Sequence, residues 1–189
     1  MFEKHPDIGP NFLQTAIEKS INCKARLLHY FPMKKEDILP TPDGRQDSWC
    51  GLHVDHSLLT GLTSAMYIDE SNDLYMEVDK SIPAVKDALE SAGLYIQSRG
   101  DQFVQVIHLI QAKVPADYIA FQLGEATQIA SRGLFRATPH LVRGASYPNL
   151  ARNTFAVFMQ ANVDYKLTPE LTFDQFTKQV MKRHYAPVS

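Results

Sequence analysis

Apolar residues recur along this chain at two spacings. Helical spacing marks only a few segments. From Asn11 to Asn22 (NFLQTAIEKSIN), Phe12, Ala16, Ile17 and Ile21 fall three to four residues apart, which predicts a short amphipathic helix. From Ser81 to Ala92 (SIPAVKDALESA) the same spacing follows a proline, a residue suited to a first helical turn because its missing N–H would have no partner there. Near the C-terminal end, 169–185 (PELTFDQFTKQVMKRHY) offers Thr172 as an N-cap and sets Phe173, Phe176 and Val180 on one stripe. A helix packed outside a sheet is expected there.

The rest of the pattern is short runs rich in β-branched and aromatic residues. Lys24–Phe31 (KARLLHYF) stops at Pro32 and reads as a strand. The segment 32–48, with Pro40, Pro42 and Gly44, reads as a long exposed loop. From Leu52 to Ile68 one strand (GLHVD) gives way to another (LLTGLTSAMYI). GLYIQS, QVIHLIQAKV, DYIAFQLG, LFRATPHLV and RNTFAVFMQ follow, with Gly124–Ser131 (GEATQIAS) as a helical turn or short connecting helix. Strands in such succession predict a mainly β fold, a barrel or double-sheet jelly roll with a few flanking helices, and not alternating βαβ units. The 189 residues, 44% of them hydrophobic, suit one domain over 1–189, with its core at about 23–160 and the C-terminal helix at about 170–185.

Charge narrows the class of partner. The formal net charge is −2, and the basic clusters (Lys34-Lys35 and Lys182-Arg183-His184) are short, so no nucleic-acid footprint is present. No run approaches the apolar length of a membrane span, and the N-terminal residues lack the apolar stretch of a signal peptide. Cys23 and Cys50 make neither a disulfide framework nor a zinc pair. A soluble, cytoplasmic protein acting on a small molecule is expected. The oligomeric state is not legible.

The candidate chemistry begins at WCGLHVDHSLLT (49–60). In a strand, residues i and i+2 share a face, so His53 and Asp55 project together while His56 does not. Cys50 lies on the opposite alternation phase from His53 and reads as a packed thiol. An imidazole and a carboxylate joined by one more histidine make the facial triad suited to Fe(II), and zinc accepts the same donors plus water. His5 and His184 lie near the termini, and His108 sits among apolar neighbours. His140, at the end of LFRATPHLV, is the better third ligand. Arg152 and Thr154 again stand at i and i+2, and a guanidinium beside a hydroxyl makes a carboxylate receptor. Antiparallel pairing of the 140 and 152 strands through the turn at 144–149 would bring His140 close to Arg152. Gln128 and Ser131 read as supports for the connection before the 134–142 strand. Phe155, Phe158, Phe173 and Phe176 read as core and helix packing.

In order along the chain, RLLHYFP (26–32), WCGLHVDHSLLT (49–60), FQLGEATQIASRGLFRATPHLVRG (121–144) and ARNTFAVFMQ (151–160) resemble the Fe(II)- and 2-oxoglutarate-dependent dioxygenase superfamily, in its isopenicillin N synthase-like branch. The resemblance implies a double-stranded β-helix in which His53, Asp55 and His140 bind Fe(II). It assigns the distal carboxylate of 2-oxoglutarate to Arg152 and Thr154. With O2 as the other cosubstrate, a small molecule is oxidised while 2-oxoglutarate is decarboxylated to succinate. Where plant-type members read N-Y-Y-P, this chain has His29-Tyr30-Phe31-Pro32, so His29 and Phe31 are the expected inward positions and His29 a cosubstrate contact. The interval from Asp55 to His140 is longer than in those relatives, and the N-terminal helical region they carry is missing here. Two other functions fit the same residues: an oxidase of the isopenicillin N synthase type that uses no 2-oxoglutarate, and a catalytically silent jelly-roll binding module.

Overall fold

Period-two patterning dominates, and the strands it makes fall into two antiparallel sheets. The structure, a computed structural model, describes residues 8–34, 49–71, 76–98 and 109–185. The larger sheet contains β1 (Lys24–Tyr30), β3 (Leu59–Thr63), β4 (Met66–Asp69), β5 (Met76–Glu77), β8 (Ile119–Leu123) and β10 (Leu150–Met159). The smaller sheet runs β2 (Cys50–His53), β9 (His140–Arg143), β6 (Gly93–Gln97), β7 (Leu109–Gln111). A hairpin of β11 (Lys166–Thr168) and β12 (Leu171–Thr172) stands apart. The two facing sheets form the mainly β jelly roll that the pattern predicts.

β10 organises the larger sheet. Arg152–Phe158 pairs along one edge with β1, and the other edge takes β4 and then β3 in tandem. Serving two partners in succession explains why the predicted LLTGLTSAMYI strand breaks at Ser64 and Ala65. β10 does not pair with β9, which lies between β2 and β6 in the other sheet. The expected 140/152 hairpin is therefore replaced by a crossover, whose last residue, Asn149, takes a left-handed φ of 58°.

The predicted 134–142 strand also shortens, since only His140–Arg143 is a strand. Upstream, the backbone donors find partners outside any ladder. Ala137 N–H goes to Gln128 Oε1 (2.8 Å), Phe135 N–H to Ser131 Oγ (3.1 Å) and Thr138 N–H to the Leu123 carbonyl (2.9 Å). Gln128 and Ser131 thus support this connection as expected. The loop predicted for 32–48 lies outside the described residues beyond Lys34, as do His5, residues 99–108 with His108, and the His184 side chain.

Four helices flank the sheets in the described residues: α1 (Phe12–Glu18), α2 (Pro83–Ser91), α3 (Glu125–Ala130) and α4 (Phe173–Tyr185). Pro83 opens α2 and Val85 and Ala88 turn inward. Thr172 and Gln175 cap α4 reciprocally: Gln175 N–H donates to Thr172 Oγ1 (3.3 Å), and Thr172 N–H donates to Gln175 Oε1 (2.9 Å). α1 is shorter than expected and leaves Ile21 exposed. One core gathers Ala16, Leu58, Ala126, Phe173 and Phe176 where α1, α3 and α4 meet the barrel. A second, around Val85, Ala92 and Leu150, lies beneath α2.

Candidate functional site

β2 and β9 place two histidines directly opposite each other. His53 and His140 are paired in the antiparallel register, and their ring centroids stand 4.2 Å apart. His53 Nδ1 is 2.8 Å from the Gly51 carbonyl, and His140 Nδ1 is 2.9 Å from that of Thr138. A carbonyl only accepts, so each Nδ1 carries a proton, and in the neutral imidazole each Nε2 keeps the lone pair that a metal would take. Both Nε2 atoms turn toward Asp55 Oδ1, at 3.9 Å from His53 and 3.8 Å from His140. One ligand atom from each residue lies within 4.8 Å of the others, which is the spacing of donors around a single cation.

Asp55 reaches this position from just beyond the strand. β2 ends at His53, so the carboxylate sits on the extended connection that follows. That connection is clamped by the start of α3. Glu125 N–H donates to the Asp55 carbonyl (2.7 Å), while Gly124 N–H (3.1 Å) and Thr127 Oγ1 (2.6 Å) both donate to the Leu58 carbonyl. Gly124 has no room for a side chain, because a Cβ there would stand 1.9 Å from the Ser57 carbonyl oxygen. The glycine in the G-E-x-x-Q segment is thus a close-approach position for the backbone that carries Asp55.

The two imidazoles differ in proton affinity. His53 is pushed up to about 9, chiefly by the Cys50 sulfur 3.6 Å from Nδ1, with the Gly51 carbonyl reinforcing it and burial opposing it. His140, buried at 6% exposure, is shifted down by burial, with the Thr138 carbonyl and Asp55 opposing. The contact with Cys50 corrects the expectation of a thiol on the opposite face. An irregularity in the β2/β9 register between Cys50 and His53 resets the alternation, and both side chains face the same cavity.

That cavity, about 660 Å³, runs between the sheets and is lined by His53, Asp55, His140, Arg152, Thr154 and further side chains. Arg152 is 6% exposed, and its Nε and Nη1 have no hydrogen-bond partner. A buried cation with two unused donors is costly without an anion to receive them. Its guanidinium carbon lies 5.2 Å from the centroid of the Tyr30 ring. Burial pushes the Tyr30 and Tyr67 phenols up, and Arg152 opposes this at both. Thr154 Oγ1 lines the cavity and donates to the Thr63 carbonyl at 3.1 Å.

His29 is not at this site. Leu28 and Tyr30 face the cavity, while His29 points outward to Asn153 Oδ1 (2.7 Å) and Glu70 (3.2 Å), and Phe31 is 73% exposed. The inward phase of β1 is thus one residue off the expectation, and Tyr30 and Tyr67 are lining residues that the sequence did not disclose. His56 borders the cavity but stands apart from the His53, Asp55 and His140 donor group. It stacks on Phe176 (centroids 4.8 Å, 7° between planes), and its Nε2 meets Thr177 Oγ1 at 3.0 Å, which ties α4 to the Asp55 connection. The four phenylalanines divide likewise: Phe173 and Phe176 are core, Phe158 lines the cavity and Phe155 lies partly exposed on the outer face.

Comparison with known proteins rests on structure, because no protein-family model and no curated protein matches the sequence. A full-length Neurospora crassa protein, solved in complex with alpha-KG (2-oxoglutarate), is 17% identical with a TM-score of 0.62, over 95% of this chain and 49% of its own. A candidate 2OG-Fe(II) oxygenase family protein from Caulobacter crescentus gives 0.60 at 18% identity, over 96% of this chain and 52% of that one. The fold is that of the 2OG-Fe(II) oxygenases. A candidate oxygenase from Shewanella oneidensis shares this oxygenase fold, with a TM-score of 0.57 at 18% identity, over 94% of this chain and 56% of that one. The chain spans about half the length of these solved structures. No described helix of the oxygenase fold is long and apolar enough to cross a membrane.

Proposed function

We propose that this chain is a non-haem Fe(II)- and 2-oxoglutarate-dependent oxygenase that oxidises a small molecule. In this reading His53 Nε2, His140 Nε2 and the Asp55 carboxylate hold Fe(II), and Arg152 with Thr154 receives the distal carboxylate of 2-oxoglutarate. Tyr30, beside Arg152 on the neighbouring strand β1, takes the contact first sought at His29. The observation that carries the reading is the pairing of a two-histidine, one-carboxylate donor set with a buried, under-satisfied guanidinium in the same cavity.

The donor set suits a divalent metal of intermediate hardness. Iron with 2-oxoglutarate supplies O2 activation coupled to decarboxylation, which no side chain can perform. The protein's part is binding and placement. Nδ1–H bonds to backbone carbonyls fix both imidazoles, and α3 fixes Asp55. A reducing cytoplasmic setting, supported by the free Cys23 and Cys50, keeps iron ferrous.

The test is anaerobic addition of 2-oxoglutarate to the Fe(II)-loaded protein. A visible charge-transfer band, and succinate formation once O2 is admitted, are expected in the native chain, with both lost in Asp55→Ala. Bound iron without the band would transfer the assignment to an oxidase that does not use 2-oxoglutarate. Folded protein that binds no iron would refute both.

A further inference from the structure

The 2-oxoglutarate reading uses only one end of the cavity. On β10, Arg152, Thr154 and Phe158 face inward, and β1 opposes them in register, with Tyr30 beside Arg152 and Lys24 beside Phe158. Phe158 stands six positions beyond Arg152, about 20 Å of strand at ~3.3 Å per residue. A five-carbon diacid spans about 6 Å with C–C bonds near 1.5 Å. A molecule held by Arg152 therefore leaves the far end free.

Two cations stand at that far end. Lys24 and Arg26 are successive inward residues of β1 and both line the cavity. Neither forms an ion pair among the described residues. Both are exposed, and two like charges at i and i+2 on one face repel each other, so the arrangement is not one the fold alone rewards. Arg26 is also held in place, its guanidinium carbon 5.2 Å from the centroid of the Phe158 ring. That leaves one guanidinium face and one ammonium open to the cavity above an aromatic floor. Asp55 and Glu90 are the carboxylates lining the cavity, and Asp55 is committed to the metal.

We infer that the substrate is a small anion with an apolar body, its carboxylate or phosphate held by Lys24 and Arg26 and its body lying on Phe158. This rests on the oxygenase reading above. The cation pair gives orientation: it anchors the charged end and leaves the remainder of the molecule to extend along the cavity toward His53, Asp55 and His140.

The test loads the full chain with Co(II) and 2-oxoglutarate, so that the Arg152 end is filled. It then titrates phenylacetate, phenyl phosphate and neutral phenylacetamide by calorimetry and ligand-observed NMR. At least one anion is expected to bind tenfold or more tighter than the amide, and the stronger of the two distinguishes carboxylate from phosphate. Lys24→Gln/Arg26→Gln should abolish the preference without changing 2-oxoglutarate affinity. Lys19→Gln, a surface control, should leave it intact. No charge preference in the native chain overturns the inference. So does a preference that survives the double variant, or one removed instead by Lys86→Gln/Lys113→Gln at the α2 side of the cavity. Failure of 2-oxoglutarate to bind the Co(II) protein refutes the oxygenase reading instead. It is read in a separate titration from the anion preference.

Discussion

Replacing Gly124 with alanine directs a methyl carbon at the segment that carries Asp55. The added Cβ would lie 1.9 Å from the Ser57 carbonyl oxygen, 2.7 Å from its carbon and 3.0 Å from the Asp55 carbonyl oxygen. Those atoms are backbone, so no rotamer change relieves the overlap. The backbone angles at Gly124 (φ −93°, ψ 171°) are open to any residue, so the penalty is steric and not conformational. Relief needs the 55–58 connection to move by more than 1 Å from α3, at the expense of the bonds from Gly124 N–H and Glu125 N–H. Overpacking of this kind costs about 3 kcal/mol or more. A shift of that size in a ligand's support lowers metal affinity by about 10- to 100-fold.

Urea unfolding of the metal-free protein and Co(II) titration of the folded fraction read the two effects separately. Gly133→Ala is the internal comparison, since φ there is +79° and nothing lies within 4 Å. It should cost about 1 kcal/mol through backbone strain alone and leave metal affinity unchanged. If Gly124→Ala unfolds within 0.5 kcal/mol of the native chain (roughly the surface-substitution range) and binds Co(II) as tightly, α3 does not hold Asp55 as described.

Arg152→Leu should leave the apo protein as stable or more stable, by up to about 2 kcal/mol, because it removes a buried charge with two unmet donors. The same change should weaken 2-oxoglutarate binding by about 30-fold or more, and a clear loss of apo stability would mean that the unmet Nε and Nη1 donors cost less than the Arg152 contacts to Tyr30 and Tyr67 contribute. Gln128→Ala deprives Ala137 N–H of its acceptor, next to the Thr138 carbonyl that orients His140. About 1 kcal/mol of stability and about tenfold in Co(II) affinity should be lost, as read by denaturation and titration. His56 is held down at about 4 by burial, with Lys24 and Arg183 adding to the effect. Its folded pKa lies below the unfolded value near 6.5, so the unfolded chain binds the extra proton between those values. The contribution is complete above pH 6.5 and is lost as pH falls from there toward 4. Discounted for partial exposure, it is about 1–2 kcal/mol, and His56→Gln should flatten that part of the stability–pH curve.

What was legible in the sequence was short-range. Arg152 and Thr154, at i and i+2 within β10, share a face because the strand itself carries that relation, whereas His53 and Asp55 stand close at the same spacing but Asp55, beyond the end of β2, also needs the clamp from α3. Strand phase was less secure. In β1 apolar residues occupy both parities (Ala25 and Leu27, Leu28 and Tyr30), so composition does not say which set faces inward. Pairing with β10 decides it, and Leu27, at 85% exposure, lies on the outer face. His29 went with the wrong set for that reason. Cys50 was misread because the irregularity before His53 depends on β9, a strand far away in the chain.

The replacement of a hairpin by a crossover between β9 and β10 bears directly on what the site can hold. Paired antiparallel, His140 and Arg152 would belong to one wall with strands about 4.8 Å apart, too close to admit a five-carbon acid between metal and guanidinium. In the structure His53 and His140 belong to the smaller sheet and Arg152 to the larger. Facing sheets pack about 10 Å apart. That gap accommodates a diacid of about 6 Å that chelates a metal on one wall and meets a cation on the other. The crossover at 144–149 is thus a condition of the proposed chemistry: the connection that takes the chain from β9 to the opposite sheet sets the separation that the proposed cosubstrate requires.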